Sequence, residues 1–250
     1  EIGCVLASHP FLVCGYEGAN NIPNVPVGLS RIWNVETGQE IALGLGEDGQ
    51  AVQPQPTGGA PVAKPPTAHS RIVDCVAVRP KPAENILEIY TGGADGFINF
   101  WQLHVTTGQV RLGQRLEGHV RGVLCLELFP KSAPTSLLSG SADHTVRWWN
   151  MDDAETKTSR GALSAAESGH TDEAAAIAAF GLDNAEYFAS GSKDRSLKVW
   201  DAMGAIQVSI VTHSPILALD TALSAGPNGS PVLVVGLQDG TIELRQPNPG

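Results

Sequence analysis

Short apolar runs that alternate with polar residues recur along the chain, and each run ends in a turn signal. Within residues 117–150, such runs occupy positions 123–128, 136–141 and 146–149. A Pro/Lys/Ser turn separates the first two, and a tight turn at Asp143 separates the last two. Period-two alternation between turns is typical of β-strands. The pattern therefore predicts three consecutive short strands in this segment.

A fixed spacing of polar and aromatic residues repeats through the chain. In each copy a small residue precedes an Asp by four positions, and the Asp precedes the last residue of the set by six. The three complete copies are His69, Thr91, Asp95 and Trp101; His119, Ser139, Asp143 and Trp149; and His170, Ser190, Asp194 and Trp200. In a fourth copy, with His213 and Asp239, Val235 and Arg245 replace the hydroxyl and the Trp. This repetition indicates several copies of one supersecondary unit.

The segment that begins at Gly118-His119 and ends at Trp149 resembles a WD repeat, the unit of one class of β-propeller. In that family the Asp accepts a hydrogen bond from the His, and a Ser or Thr hydroxyl links the His to the Trp indole. Each of these polar groups would be costly to bury alone. The resemblance implies that the three complete sets are structural networks.

The resemblance predicts an all-β WD40 β-propeller region over residues 1–250. The five expected blades span residues 1–43, 69–116, 119–163, 170–210 and 213–246. Residues 17–28 should interrupt the first blade, because their two prolines cannot donate to a strand ladder. Residues 44–67, rich in Gly and Pro, are expected to form a flexible insertion. The alanine-rich run at 174–180 favours a helix by propensity, but the flanking repeat favours a strand.

Two ring sizes remain open. Propellers close with about four to eight blades, so the five blades can form a complete ring. They can also be part of a seven-bladed ring, which is usual in the WD family. The missing Met at position 1 and the missing outer strand after Gln246 favour the second interpretation.

The first blade permits a narrower comparison. It has no turn Asp but contains Pro23-Asn24 and Trp33-Asn34, and a late blade has a Pro-Val-Leu strand that starts at Pro231. These features are similar to the WD region of plant CCCH zinc-finger proteins with WD repeats. The CCCH finger itself is absent from these residues. The resemblance therefore implies RNA binding only through a finger outside them.

Composition and charge restrict the function classes. Hydrophobic residues make up 42% of the chain and charged residues 17%, which is typical of a globular protein, and no apolar run is long enough to span a bilayer. The net charge of −10 argues against a general phosphate-binding surface, although residues 67–150 are not acidic. The four cysteines have no zinc-site spacing, and Cys75 and Cys125 occupy equivalent repeat positions. We expect both to be small core residues, in a reducing intracellular compartment, nucleus or cytoplasm. No cofactor or metal is expected.

A Ser, a His and an Asp in one unit are also the residues of a nucleophilic hydrolase. A catalytic set occurs once, whereas these sets recur, so we expect a non-catalytic protein-interaction scaffold. We expect this scaffold to belong to an RNA-associated complex. One alternative is a ubiquitin-ligase substrate receptor, which would carry a W-D-x-R sequence. Trp200-Asp201 is followed by Ala202-Met203, so that signature is missing there. A channel-site enzyme is the other alternative.

The face that carries the Asp turns is the expected partner site. Positions just before each Asp (Ala94, Ala142, Lys193, Gln238) and soon after each His (Arg71, Arg121, Asp172, Pro215) should surround the channel mouth. Arginine makes bidentate contacts with carboxylate or phosphate. We expect Arg71, Arg121, Lys193 and Gln238 to contact a protein or peptide partner, or indirectly RNA, and we expect no membrane contact. The alternative is that the two arginines are only solvated.

Overall fold

The computed structural model describes residues 2–8, 11–19, 26–38, 40–43, 69–113, 115–151, 159–163, 169–223 and 230–247. These residues form β-strands and turns, with one 3-10 turn at Pro82–Glu84 and no α-helix. Accordingly, the described part of the chain contains no helix of the length and apolarity that a membrane span requires. The predicted insertion at 44–67 lies outside the described residues. The chain divides into two compact units, Glu1–Gly118 and His119–Gly250.

The first unit contains two antiparallel sheets whose strands follow chain order. The first sheet consists of β1 (Ile2–Ser8), β2 (Phe11–Ala19), β3 (Pro26–Asn34) and β4 (Glu40–Leu43). The second sheet consists of β5 (Val73–Lys81), β6 (Ile86–Gly93), β7 (Ile98–His104) and β8 (Val110–Leu112). Val13 and Ile32 of the first sheet share one buried core with Val76, Ile89 and Trp101 of the second.

The predicted interruption at residues 17–28 is wrong at both of its ends. β2 continues to Ala19, and β3 begins at Pro26, which lies opposite Ala19 in the ladder. Proline is tolerated as the first residue of a strand, where its missing N–H breaks few ladder bonds. The two strands therefore form a longer hairpin than the prolines suggested.

The outer strand of the second sheet, β8, ends at Leu112, before the end of the predicted blade at residue 116. It leaves the ladder at Gly113, whose N–H bonds the Phe100 carbonyl at 2.8 Å. A Cβ at Gly113 would lie 2.3 Å from Cδ1 of Phe100, so only glycine fits this close approach without a shift. Leu116 then returns to the sheet through an isolated bridge to Ile98.

The second unit contains three antiparallel sheets, again in chain order. The first consists of β9 (Val123–Phe129), β10 (Ser136–Ser141), β11 (Val146–Asn150) and β12 (Ser159–Leu163). The next consists of β13 (Ala174–Leu182), β14 (Ala185–Ser192), β15 (Ser196–Asp201) and β16 (Ile206–Val211). In the described residues the last has three strands, β17 (Ile216–Leu223), β18 (Pro231–Leu237) and β19 (Ile242–Arg245).

The alanine-rich run forms a strand, as its place in the repeat predicted. β13 pairs with β14 over its whole length, and it contacts both β9 and β17. Ala176, Ala178 and Ala179 are all buried. A strand that is covered on both faces has room only for small side chains at its tightest positions, and this packing overrides the helix propensity of alanine.

Among the described residues of the second unit, hydrophobic cores join neighbouring sheets. Phe129 and Leu138 pack with Ile177, Phe188 and Trp200 between the first two sheets. A second core, between the last two sheets, includes Phe180, Leu197, Val199, Ile216 and Val235. The predicted all-β class is confirmed, as antiparallel sheets that pack face to face.

Candidate functional site

Each repeated Asp lies in the hairpin turn between the second and third strands of its sheet. Its carboxylate accepts a hydrogen bond from the backbone N–H two residues later, at 2.7–3.2 Å. The residue directly after the Asp has a left-handed backbone. These residues are Gly96, His144, Arg195 and Gly240, with φ of +84°, +72°, +69° and +87°. Glycine adopts this conformation at no steric cost, whereas His144 and Arg195 adopt it against their Cβ atoms.

The repeat around Asp143 forms a closed polar chain. The Trp149 indole N–H donates to the Ser139 hydroxyl at 2.8 Å, and that oxygen lies 2.7 Å from Nε2 of His119. Nδ1 of His119 lies 2.8 Å from the Asp143 carboxylate, which also accepts from the Val120 N–H. These partners assign the hydrogen bonds of the ring: Nε2 accepts from Ser139, and Nδ1–H donates to Asp143.

The repeat around Asp194 has the same chain with one change. Trp200 donates to the Ser190 hydroxyl at 2.8 Å, and that oxygen lies 2.7 Å from Nε2 of His170. Nδ1 of His170 is closer to the Ser196 hydroxyl, at 2.8 Å, than to Asp194, at 3.3 Å. Ser196 also donates to Asp194 at 2.6 Å. The hydroxyl therefore bridges the His and the Asp.

Among its described residues, the first unit has one such set. Nδ1 of His69 lies 3.0 Å from Asp95, and Nε2 lies 2.9 Å from the Thr91 hydroxyl, which accepts from Trp101 at 3.0 Å. A Cβ at Gly93 would lie 2.5 Å from Nδ1 of this His. The close fit explains why a residue without a side chain follows Thr91 two positions later.

The fourth repeat has a different geometry. Nε2 of His213, rather than Nδ1, lies 2.8 Å from Asp239, and Nδ1 lies 3.2 Å from Glu243. Glu243 also pairs with Arg245 at 2.7 Å. Val235 is fully buried where the other repeats have a hydroxyl. An exposed ion-pair cluster thus takes the place of the buried network.

Burial raises the pKa of the turn carboxyls, but their hydrogen bonds outweigh it. Bonds from His69 and from the N–H groups of Ser70 and Phe97 hold the pKa of Asp95 below its usual range. The donors around Asp194 lower its pKa to about 2. Burial also lowers the pKa of His170 to about 4, against the opposing charge of Asp194 and with added repulsion from Lys198. Near neutral pH, Asp194 is thus ionised and His170 is neutral.

The hydroxyls of the three complete sets have no access to solvent. Thr91, Ser139 and Ser190 are all 0% exposed, and each lies between an indole N–H and an imidazole. A hydrolytic nucleophile must reach a substrate. This geometry therefore satisfies buried polar groups and presents no nucleophile. Within the described ranges, His, Cys, Asp and Glu form no cluster that could hold a metal ion.

The shared repeat position holds Cys75 and Cys125. Cys75 is buried, and Cys125 is half-buried. Burial raises the pKa of the Cys125 thiol to about 12, and the nearby charge of Glu127 acts in the same direction. A thiol in this state does not ionise near neutral pH, so it acts as a small core side chain.

Sequence reasoning missed a second layer of hydroxyls. Ser141 donates to the Gly122 carbonyl at 2.8 Å and accepts from the Asp143 N–H at 3.1 Å. In the same way, the Ser192 hydroxyl donates to the backbone carbonyl of Asp172 and accepts from the backbone N–H of Asp194. The signal was present as the sequence Ser-x-Ser-x-Asp in both repeats.

The loop before the first strand of each sheet is fixed to the Asp turn. The residue before each Asp donates its N–H to a carbonyl of that loop, at 2.8–3.0 Å. These four donors are Ala94, Ala142, Lys193 and Gln238. We call the Asp turn and this loop together the turn edge of a repeat. Its backbone is set by hydrogen bonds in every repeat, whereas its side chains differ.

The four residues predicted to contact a partner all lie on turn edges and are exposed. Arg71 belongs to the first unit, whereas Arg121, Lys193 and Gln238 belong to the second, so Arg71 is described separately from the others. Lys193 forms an ion pair with Glu173 at 2.7 Å. Partner binding by these residues stays a prediction.

Comparison with known proteins agrees with this geometry. The family model described as "WD domain, G-beta repeat" matches residues 111–150 and 163–201, which include two of the complete networks. A ribosome biogenesis protein WDR12 homolog of Chlamydomonas reinhardtii is 29% identical over 45% of this chain and 24% of its own length. Telomerase protein component 1 of Mus musculus is 36% identical over 44% of this chain and 4% of its own length. The WD repeat-containing protein pop2 of Schizosaccharomyces pombe is 35% identical over 36% of this chain and 13% of its own length.

The matched segments thus span 24% or less of the length of these relatives. The resemblance to plant CCCH zinc-finger proteins stays a prediction. The buried networks and the family matches lead to the same conclusion: this chain is an all-β protein that contains WD40 repeats.

Proposed function

We propose that this chain is a non-catalytic scaffold that binds other proteins through its turn edges. The observation that carries the proposal is the contrast between a constant backbone and variable side chains. The position two residues after the repeat His is Arg71, Arg121, Asp172 or Pro215, while the hydrogen bonds around it recur. A rigid frame that displays different exposed side chains suits recognition of a partner.

Two observations support a non-catalytic role. The Ser and Thr hydroxyls of the repeated sets are buried and bonded on both sides. The turn carboxylates already accept hydrogen bonds from His, Ser or Thr and from backbone groups. None of these groups is available as a nucleophile or as a general base toward a substrate.

An RNA-containing assembly is the proposed setting. Two of the similar proteins are named for ribosome biogenesis and for telomerase. Direct RNA binding by this chain is disfavoured, because its net charge is −10 and phosphate contacts require an excess of Lys and Arg. We therefore place the contact with other proteins of such an assembly, inside the cell.

Affinity capture from cell extract, with and without ribonuclease, tests this proposal. The unmodified chain should retain a reproducible set of proteins after ribonuclease treatment. An Arg71→Ala, Arg121→Ala double variant should lose at least one of them, whereas Arg111→Ala, an exposed change on β8, should lose none. Loss of every captured protein with ribonuclease, or retention of all of them by the double variant, would contradict the proposal.

A further inference from the structure

The turn edge around Asp143 differs from the others in side chains that take no part in the hydrogen-bond network. The residue after the repeat His is Ser70, Thr171 or Ser214 in three repeats, and the first two place a hydroxyl 3.4 Å from the turn carboxylate. In this repeat it is Val120, whose side chain is 85% exposed. The Val120 N–H still bonds Asp143 at 3.1 Å. The valine side chain is therefore an apolar surface that the network does not use.

His144 is the second departure. It takes the left-handed position after Asp143, with φ of +72°, where two other repeats have glycine and the third has Arg195. Its imidazole is 41% exposed, and Nε2 lies 3.9 Å from Oδ1 of Asp172. A left-handed backbone is unfavourable for a residue with a Cβ, and such strain on an exposed turn points to a functional side chain.

Arg121, which follows Val120 in the chain, supplies a positive charge on the same turn edge. Its backbone is fixed against the turn on both sides, because the Val120 N–H donates to Asp143 at 3.1 Å and the Gly122 carbonyl accepts from the Ala142 N–H at 2.9 Å. Among the described residues its guanidinium has no ion-pair partner, whereas Lys193 of the next repeat is paired with Glu173 at 2.7 Å. The charge at this turn edge is thus available to a ligand.

We propose that Val120, Arg121 and His144 form a docking site for a peptide that carries a carboxylate next to an aliphatic residue. The guanidinium would hold the carboxylate through paired N–H groups, with the imidazole as a further donor. The aliphatic residue would cover Val120 and remove its surface from water. This Val120 site rests on the proposed function and names the chemistry of its partner.

An RNA ligand fits the Val120 site less well. Single-stranded nucleic acid is held by a groove of several cations and by aromatic side chains on which bases stack. Val120 is aliphatic, and the carboxylates of Asp172 and Glu173 lie on the neighbouring turn edge. These two carboxylates would repel a row of phosphates more strongly than they would repel a single peptide carboxylate.

Binding of short labelled peptides to the full chain, read by fluorescence anisotropy, tests the Val120 site. The probes are Gly/Ser peptides with one Leu and one Glu at adjacent or alternate positions, and matched peptides with Gln for Glu or Ser for Leu. We expect the Leu/Glu probes to bind and each matched peptide to bind more weakly. Arg121→Glu should lower affinity about tenfold or more, and Val120→Ser and His144→Gly should lower it several-fold.

Val211→Ser is the matched control, because Val211 is 75% exposed on β16 of the same unit but lies outside the turn edges. It should leave binding unchanged, and thermal melting should show that all variants are folded. Failure of every probe to bind, or equal binding by Arg121→Glu, would overturn the site. Binding of a single-stranded oligouridine that depends on Arg121, in place of the peptides, would overturn the peptide assignment.

The same variants separate this inference from the proposed function. A Val120→Ser, Arg121→Glu chain that retains every protein captured by the unmodified chain would overturn the Val120 site and leave the scaffold proposal standing. An unmodified chain that captures no protein would contradict the scaffold proposal and the site together.

Discussion

Nε2 of His213 lies 2.8 Å from Oδ2 of Asp239, the same separation that joins His119 to Asp143. The environments of the two pairs differ. The side chains of His213 and Asp239 are 57% and 40% exposed, whereas those of His119 and Asp143 are 0% and 4% exposed. Water can replace each partner in the first pair but not in the second. Burial, and not distance, therefore decides what each pair contributes to stability.

Gly191 and Gly236 both lie three positions before a turn Asp, but we expect alanine to be tolerated less well at Gly191 than at Gly236. A Cβ at Gly191 would lie 2.4 Å from Cγ2 of Ile216, a fully buried side chain, whereas a Cβ at Gly236 would have Ala218 as its nearest neighbour at 3.3 Å. We expect Gly191→Ala to lower the free energy of unfolding by about 1–3 kcal/mol through overpacking, and Gly236→Ala to cost less. Chemical denaturation of both variants measures the difference. Equal losses would show that the sheets relax more easily than the structure indicates.

The left-handed turn position should prefer glycine. Arg195 has φ of +69° and Gly240, at the same position of another repeat, has φ of +87°. Because Cβ is unfavourable there, we expect Arg195→Gly to be more stable than Arg195→Ala by about 1 kcal/mol. Gly240→Ala is the reverse change, and it should destabilise although no atom lies within 4 Å of the new Cβ. If denaturation curves show that Arg195→Ala is more stable than Arg195→Gly, the preference for glycine at this position is contradicted.

Stability should fall as the pH decreases from about 6.5 to about 4. In the folded chain burial lowers the pKa of His170 from 6.5 to about 4, so the unfolded chain binds the additional proton in this range. The lost stability is about 3 kcal/mol, from the size of the pKa difference. His170→Gln removes the titrating group, and its stability should depend less on pH in this range. Denaturation at several pH values tests this, and identical pH slopes for the two chains would refute it.

A separate loss is expected below pH 4. The pKa of Asp194 is lowered to about 2, so its contribution to stability is present above its unfolded value of 3.8 and is lost as the pH falls through 2. The two ranges do not overlap, and the loss below pH 4 should persist in His170→Gln. An Asp194→Asn chain in which the loss below pH 4 is unchanged would contradict this explanation.

The sequence predicts much of the fold because the repeat fixes the register. The spacing from His170 to Trp200 was enough to predict a strand for the alanine-rich run against its helix propensity. The sequence did not predict that β2 and β3 extend to Ala19 and Pro26, because a proline at the first position of a strand looks the same in sequence as one in a loop.

Side-chain geometry within the repeats was less predictable. Spacing indicates which residues meet, but it does not indicate how an imidazole is rotated. The turned ring of His213 follows from Glu243 and from the buried Val235, and the bridge through Ser196 follows from one short side chain two residues after Asp194. Such details depend on distances between neighbouring side chains, which a sequence pattern does not specify.

The central claim is that the buried His, hydroxyl, Asp and Trp sets fix each sheet and the loop before it, so that function is left to the turn edges. The free energy of unfolding of Asp143→Ala, measured beside Asp239→Ala, tests this claim most directly. Removal of Asp143 leaves the buried His119 without its acceptor and should cost about 1–3 kcal/mol. Asp194→Ala should cost about as much, because it removes the acceptor of the Ser196 hydroxyl that bridges to His170 and of the Thr171 N–H. Asp239→Ala should leave the unfolding transition nearly unchanged, because water can solvate His213. Unchanged stability of Asp143→Ala, or a larger loss in Asp239→Ala, would contradict the account.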